Sequence, residues 1–315
     1  MVFKNKIIDF MGLRKIALVI SMVLILISVG SLFARGLNLG IDFTGGTVME
    51  IGYPEAKNPD IIRKLLSDKG YDGIVQHFGS SKDILIRLAP LEGEGNDTAE
   101  AKAKLSNDVL AILRAETPNA DMRRVEFVGP QIGEELREDG GLAMLMALGG
   151  ILIYVALRFE YRFSIGAVAA LVHDVIIVIG FFALTQIEFD LTVLAAILAV
   201  IGYSLNDTIV VFDRQRENFR ILRKETPPEV LNLSLNQTLS RTLITSLTTL
   251  IVVLALYFLG SEVIAGFAIA LTVGIVIGTY SSIYVASNLL LVLGITKEAL
   301  MPPEKEDDEE LDAIP

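Results

Sequence analysis

The sequence contains no cysteine, so disulfide bonds and thiolate-ligated metal sites are excluded. Its formal net charge is -11, and no basic face large enough to bind phosphate groups is evident, which argues against nucleic acid as a partner. Residues 35–139, the longest stretch without a continuous apolar run, offer no nucleophile, base and orienting group at a recognisable spacing. Nothing in this stretch therefore indicates catalysis.

Long apolar blocks dominate what the sequence does contain. Mean hydropathy is +0.55 and 52% of the 315 residues are hydrophobic, which is too apolar for a soluble protein. Six blocks reach the roughly 20 residues that are needed to cross a bilayer. The predicted spans are residues 15–34, 140–157, 165–184, 191–212, 242–259 and 263–293. We therefore predict a membrane protein built as a bundle of six transmembrane helices.

Lysine and arginine near the span ends predict the orientation, because such residues concentrate in cytoplasmic loops. They occur in residues 1–14, at Arg158 and Arg162, and in the cluster Arg214–Lys224. The loops between spans three and four and between spans five and six contain none. We therefore expect both termini, including the acidic tail 294–315, to be cytoplasmic and residues 35–139 to form a domain on the outer side.

The outer domain shows short alternating segments, which are typical of a mixed α+β fold. The predicted elements are strand 47–53, helix 59–69, strands 74–78 and 84–88, helix 99–115 and strand 122–128. The order βαββαβ predicts a ferredoxin-like unit, with two helices on an antiparallel sheet. Thr98 is the expected N-cap of the second helix, and residues 93–97 are expected to form a flexible loop. His77 is expected to be a partly buried structural histidine.

The polar segment 213–241 is predicted to divide at Pro227–Pro228, since proline lacks the amide hydrogen that a helix interior needs. The following residues, 229–239, alternate at helical spacing and are predicted to lie along the membrane surface before the fifth span. We expect this segment to be a connector.

Ionisable residues interrupt the apolar spans, and such residues usually mark an ion or substrate pathway. Asp207 lies in the fourth span, and Arg241 immediately precedes the fifth. A helical hairpin would bring this acid and this base to similar depth, which indicates proton-coupled work. A structural ion pair between the two spans is the alternative.

Four further polar residues are candidates for relay or support. Ser204 and Asn206 are expected to hydrogen-bond Asp207 or to pack against a neighbouring helix. His173 and Asp174 form a second intramembrane pair in which the histidine is a candidate relay, and a neutral histidine bonded across helices is the alternative. Small residues in the sixth span are expected to admit another helix, either of this bundle or of a partner: Gly266, Gly274, Gly278, Ser281, Ser282 and Ala286.

Two stretches resemble the signatures of a known family. The first, LGIDFTGGT at residues 39–47, contains Gly40, Asp42, Phe43, Gly45 and Gly46. The second, IGYSLNDTIVVFDRQREN at residues 201–218, contains Asp207. Shorter similarities lie at residues 125–130, 173–174 and 237–242. Together they resemble the SecF family of bacterial protein-export subunits, within the resistance-nodulation-division superfamily, over nearly the whole chain.

The resemblance implies an accessory subunit of the Sec protein translocase in the bacterial inner membrane, with residues 35–139 in the periplasm. It implies use of the proton-motive force, together with SecD, in the late steps of polypeptide export. The implied partners are SecD, the SecYEG translocon, YajC and the exported polypeptide. The carboxylate and the arginine that match Asp207 and Arg241 are implied to form the proton pathway. Protons are the coupling ion, and no other cofactor, metal site or enzymatic activity is expected.

Superfamily pumps have twelve spans in two similar halves, so the resemblance implies that this chain is one half and SecD the other. The rival hypothesis is a stand-alone proton-driven exporter of small molecules or lipids, which would need an apolar pocket with a few polar groups. A non-transporting scaffold that stabilises the translocon is a further alternative.

Overall fold

The computed structural model describes residues 7–90, 98–222 and 224–296. The predicted loop 93–97 and the acidic part of the tail therefore lie outside the described residues. Within these ranges six helices are long and apolar enough to cross a membrane, and they are accompanied by a four-stranded sheet. The predicted fold class, a six-helix bundle with one α+β domain between its first two helices, is confirmed.

The elements in chain order are α1 (Arg14–Arg35), α2 (Ile41–Thr44), β1 (Gly46–Gly52), α3 (Pro59–Ser67), β2 (Gly73–Phe78), β3 (Ser80–Leu88), α4 (Ala99–Glu116), β4 (Asp121–Val128), α5 (Pro130–Arg158), α6 (Tyr161–Thr185), α7 (Leu191–Ile221), α8 (Pro227–Leu259), α9 (Ala265–Ser281) and α10 (Ser287–Val292). A 3-10 turn, Glu262–Ile264, precedes α9. A π-helical turn, Ser282–Ala286, joins α9 to α10 within the last span.

The sheet of the α+β domain is antiparallel with strand order β2-β3-β1-β4. Alternate residues of its central strands point towards α3 and α4, and the core on that side includes Met49, Ile51, Ile84 and Ile86. Order and topology are those of a ferredoxin-like unit. Thr98 caps α4 as predicted, accepting a hydrogen bond from the amide of Ala101 at 3.2 Å.

His77 is exposed on β2, so the expectation of a partly buried histidine was wrong. β2 is an edge strand of the sheet and pairs only with β3. A residue on an edge strand has a neighbouring strand on one side only, so its side chain is less covered, and the sequence did not reveal that β2 takes this position.

The polar segment 213–241 is mostly helical: residues 213–221 are the end of α7, and residues 227–241 are the first part of α8. α8 begins at Pro227 and passes through Arg241 without a break. The two prolines start this helix instead of interrupting one, because a first-turn amide would lack a helical partner in any case. Thr226 and Glu229 form a capping box in which the amide of Thr226 donates to Glu229 Oε2 at 2.7 Å. The predicted surface helix 229–239 is therefore the first part of α8.

α9 lies very close to α7 along a stripe of small residues. A side chain at Gly266 would come within 2.9 Å of Val193, and one at Gly278 within 3.1 Å of Ser204. Gly274 faces Val200 in the same way. The small residues of the last span therefore admit a helix of the same bundle.

Gly45→Ala should destabilise the junction between α2 and β1. Gly45 has φ 69° and ψ 175°, a conformation that costs other residues about 1–3 kcal/mol. A Cβ there would also lie 2.9 Å from the Cα of Pro130 at the start of α5. We expect a lower midpoint of thermal unfolding in detergent.

Gly70→Ala is the matched control, since Gly70 has φ 85° and open space where its Cβ would lie. It should lower the midpoint less than Gly45→Ala. Equal losses would show that the contact with α5 contributes nothing.

Candidate functional site

Two acids are buried in the middle of the bundle. Asp174 on α6 is 1% exposed, and Asp207 on α7 is 6% exposed. At 1.5 Å per residue they lie about 20 Å and about 24 Å from the starts of their helices. A carboxylate removed from water is costly unless hydrogen bonds replace those of the solvent. The donors around each acid therefore decide which charge states it can hold.

Asp207 is held by two hydroxyl groups from two other parts of the bundle. Thr242 of α8 donates from Oγ1 to Oδ1 at 2.7 Å. Ser282, the first residue of the π-helical turn, donates from Oγ to Oδ2 at 2.5 Å. Both donors are neutral and both are buried. Asp207 thus joins three spans, and no residue in the described part of the chain is its direct partner of opposite charge.

Asp174 has three partners. Ser204 of α7 and Ser281 of α9 both donate to its Oδ2, at 2.6 and 2.7 Å. The Nδ1 atom of His173 lies 2.9 Å from Oδ1, and the imidazole stacks on the ring of Tyr280 with centroids 6.3 Å apart. The histidine is therefore bonded to its neighbour in sequence, and its contact across helices is a ring contact.

Arg241 does not contact Asp207 directly. It immediately precedes Thr242 and is exposed on α8, close enough for its charge to act on Asp207. In the described part of the chain the carboxylate oxygens of Asp207 are bonded to the two hydroxyls instead. The structure thus brings Asp207 and Arg241 to the same level of the bundle and leaves the arginine available to another partner.

The two supporting residues predicted beside Asp207 take other positions. Ser204 donates to Asp174, as its side chain lies towards α6. Asn206 is exposed, whereas Asp207 next to it is buried. Adjacent helical residues point about 100° apart, so the two cannot share one face.

A separate group of hydroxyls is hydrogen-bonded across α7, α8 and α9. Tyr203 of α7 donates to Ser246 of α8 at 3.3 Å, and Ser246 is 2.7 Å from the hydroxyl of Thr279 on α9. Hydroxyls both donate and accept. Their hydrogens can therefore reorient while the helices stay packed.

The signature residues of the first stretch hold the start of α7. Asp42 accepts a hydrogen bond at Oδ2 from the amide of Leu191 at 2.9 Å, next to the N-cap residue Asp190, which accepts from the amide of Val193 at 2.8 Å. Acids at a helix N-terminus satisfy amides that lack helical partners. The loop after α1 thereby fixes one end of the helix that carries Asp207.

Phe43 and Gly40 strengthen this contact. The ring of Phe43 lies 6.0 Å from that of Phe189 in the α6–α7 connection, and the amide of Gly40 donates to the carbonyl of Phe189 at 2.9 Å. A Cβ at Gly40 would lie 2.9 Å from the carboxylate of Glu188. Gly45 and Gly46 then turn the chain into β1 with positive φ angles of 69° and 123°.

An ion pair joins the α+β domain to the same connection. Arg87 of β3 pairs with Glu188, and their side chains are 8% and 28% exposed. Burial raises the pKa of Glu188 above its usual value; Arg87 opposes this rise, and the acids Asp190, Asp42 and Glu126 add to it. Sequence reasoning missed this pair, although an arginine in the apolar strand DILIRL was a signal.

Sequence reasoning also missed three of the hydroxyl donors. Ser281 and Ser282 were noted only as small residues, and Thr242 only as part of a family motif. The signal that could have found them is their position within apolar spans, where a hydroxyl without a partner is unfavourable. Which acid each one contacts depends on how the helices are rotated.

Comparison with known families matches residues 108–296 to the C-terminal region of protein export membrane proteins SecD/SecF. Residues 30–53 match the SecD/SecF GG motif. The first match contains both buried acids, and the second contains the residues that hold the start of α7.

The chain is similar over nearly its full length to proteins named protein translocase subunit SecF. It is 51% identical over 314 residues to that of Vibrio alginolyticus, covering 99% of this chain and 98% of the relative. It is 50% identical over 302 residues to that of Pseudomonas aeruginosa, covering 95% and 96%. The Escherichia coli O157:H7 protein is 46% identical over 306 residues, covering 96% and 93%.

Among solved structures, the chain is similar to the crystal structure of SecDF from Thermus thermophilus, described as a translocon-associated membrane protein. The TM-score is 0.83 at 40% identity, covering 93% of this chain and 39% of that one. A structure of SecDF in a super-membrane-facing form gives 0.68 at the same identity and coverage. This chain thus spans about two fifths of the SecDF chains that it matches.

Glu188→Gln should change how stability depends on pH. Because the pKa of Glu188 is raised on folding, the folded state binds this proton more tightly than the unfolded state. Wild type should therefore lose stability relative to the variant as pH rises from the unfolded to the folded pKa. Thermal unfolding midpoints from about pH 4 to about pH 8 measure this difference.

Glu217→Gln is the control, because Glu217 is exposed at the other end of α7, where it pairs with Arg214. It should leave the pH dependence unchanged. A difference between wild type and Glu188→Gln that is constant with pH would contradict the assignment.

Proposed function

The chain belongs to the SecF family of protein translocase subunits, as a multi-pass bacterial membrane protein, and from this premise we propose that it uses the proton-motive force, together with SecD, to promote late steps of polypeptide export. In this role it is an accessory subunit and not an enzyme. Protons are its coupling ion, and it needs no other cofactor.

The single observation that carries the proposal is the environment of Asp207. The acid is buried at mid-helix, and among the described residues its partners are neutral hydroxyls, with the charge of Arg241 near but not in contact. A carboxylate locked in a buried ion pair resists protonation, because that would leave the cation unpaired. A carboxylate held by hydroxyls retains partners in both states, and Arg241 stabilises the charged one.

The available energy is sufficient for such a cycle. Each proton that crosses the membrane down the potential releases about 2.3 kcal/mol of free energy per 100 mV. Asp207 joins α7 to α8 and to the last span, so a change in its hydrogen bonds acts on all three. Movement of α7 would then reach the α+β domain through Asp42 and through the Arg87–Glu188 pair.

SecD is the first partner that we propose, because of the length of the matching SecDF chains and the exposed apolar helices of this one. The SecDF chains that match are about two and a half times as long as this one. The apolar windows of α5 and α8 are only 11% and 17% buried within the chain, so both helices leave apolar surface for other helices or for lipid. SecYEG, YajC and the exported polypeptide are further proposed partners.

We place both termini in the cytoplasm and the α+β domain in the periplasm. Arg158 at the end of α5 pairs with Asp213 of α7 at 3.0 Å, and Arg216 lies 3.4 Å from the same acid. Arg162 at the start of α6 lies at this end as well. Such a basic cluster supports a cytoplasmic location, and the domain is at the opposite end.

A stand-alone exporter has less support. The apolar groove between α1, α6 and the last span has a volume of about 410 Å³ and is lined by His173, but it contacts neither Asp174 nor Asp207. A substrate in this groove would therefore lack a direct link to either acid.

Asp207→Asn should abolish the gradient-dependent part of export and leave assembly with SecD intact. The amide has nearly the same shape as the acid but cannot take up and release a proton. The measurement is export into inverted membrane vesicles that contain the reconstituted complex, with and without a proton gradient. Arg241→Gln should reduce the same component, because the charged form of Asp207 loses its nearby cation.

Asp213→Asn is the matched control on the same helix, since Asp213 is half exposed at the basic end of the bundle. It should keep gradient-dependent export near the wild-type rate. Normal gradient dependence in Asp207→Asn would refute the proposed role of that acid.

A further inference from the structure

Two consecutive serines of the last span contact two different acids. Ser281 donates to Asp174 on α6 at 2.7 Å, and Ser282 donates to Asp207 on α7 at 2.5 Å. Both serines are 0% exposed. Because adjacent helical residues point about 100° apart, one turn of helix placed between α6 and α7 can reach both acids at once. The two acids are thus linked through the peptide bond that joins Ser281 to Ser282.

Each of these serines also has a second acceptor in the backbone. The Oγ of Ser281 lies 3.1 Å from the carbonyl of Gly278, and the Oγ of Ser282 lies 3.1 Å from the carbonyl of Thr279. A hydroxyl carries one hydrogen, so it can donate fully to the acid or to the carbonyl. The other donors to the acids, Ser204 and Thr242, have no second acceptor in the described part of the chain.

Protonation of the acid selects between the two acceptors. A charged carboxylate accepts the serine hydrogen. When a proton binds Oδ2 of Asp207, an O–H bond forms there and can donate to the Oγ of Ser282, whose own hydrogen then turns to the carbonyl of Thr279. The same exchange at Asp174 turns the hydrogen of Ser281 to Gly278. The proton is the only atom gained in each step.

The carbonyls of Gly278 and Thr279 lie in the last turn of α9, directly before the π-helical turn. The exchange of hydrogen bonds therefore acts where the helix changes its geometry. The π-helical turn begins at Ser282, and π-turns concentrate at functional sites. Serine hydroxyls that bond to a carbonyl one turn earlier bend helices slightly. Ser287 closes the same turn by donating to the carbonyl of Ser282 at 3.4 Å and accepting from Gln215 at 2.7 Å.

We propose that Ser281 and Ser282 are positioning residues that couple the protonation of Asp174 to that of Asp207 through the π-helical turn. This inference rests on the proposed function and adds a second acid to the proton pathway. Charged and titratable groups that face the pair in the described structure are Arg241 beside Asp207, and His173 beside Asp174 with Tyr280 stacked on its ring.

The test is pH-difference infrared spectroscopy of the complex with SecD in liposomes, with protons as the probe. The carbonyl bands of protonated Asp174 and Asp207 are assigned by their loss in Asp174→Asn and Asp207→Asn. We expect Asp174→Asn to shift the midpoint of the Asp207 band, and Ser282→Ala to shift both its frequency and its midpoint. A midpoint shift of about one pH unit corresponds to about tenfold in proton affinity.

Ser234→Ala is the matched control, because Ser234 is an equally buried serine, on α8, whose hydroxyl in the described structure accepts from Asn218, donates to the carbonyl of Val230 and touches neither acid. It should leave both bands in place, and Ser282→Thr should restore the wild-type band by restoring the hydroxyl. Ser281→Ala should act directly on the Asp174 band.

Independent titration of the two acids, or a Ser282→Ala spectrum identical to that of Ser234→Ala, would overturn the coupling. Neither result involves export. The proposed function would stand if Asp207→Asn still abolished gradient-dependent export, so the two failures are distinguishable.

Discussion

The close approach of α9 to α7 is the constraint on which the rest of the bundle depends. Gly274 and Gly278 bring the two backbones together where Val200 and Ser204 pack, and only at this separation do short serine side chains of the next turn reach the acids. A methyl group at either glycine would push the helices apart. The acids would then lose donors in an interior where an unsatisfied polar group costs about 1–3 kcal/mol, and more when it is charged.

Acids held by hydroxyl donors can gain and lose a proton more easily than acids held in a direct ion pair. A buried arginine bonded to Asp207 would have to lose its partner on every protonation, which is strongly unfavourable. Thr242 and Ser282 accept as readily as they donate. Arg241 precedes Thr242 on α8 and is exposed, and in the described structure it does not contact Asp207. It is therefore placed to meet a group from outside the chain.

Much of the fold could be predicted from the sequence because its signals are local. Hydropathy located the spans, and the alternating pattern of 47–53 and 84–88 located the central strands. The partners of Asp207 could not be predicted, since they depend on how three helices are rotated against each other. The division of the polar segment at Pro227–Pro228 was predicted, since α7 ends at Ile221 and α8 begins at Pro227. The sequence did not show that the helix which starts there continues through Arg241 into the fifth span. Asn206 and Asp207 looked like one polar cluster, yet helical geometry turns one outward and the other inward.

α7 connects the helical bundle to the α+β domain, because its first turn is held next to the domain and its middle carries Asp207. Its first turn is capped by Asp42 and lies against Glu188, which the α+β domain holds through Arg87. Its middle carries Asp207, about 24 Å further along. In the proposed cycle, a small shift at the acid would reach the capped end along this one continuous helix of 31 residues. If α7 shifted, Glu188 could follow it and stay paired with Arg87 only if the α+β domain moved as well. Because both groups are largely buried, leaving either unpaired is unfavourable, so in the proposed cycle the α+β domain would move with the helix.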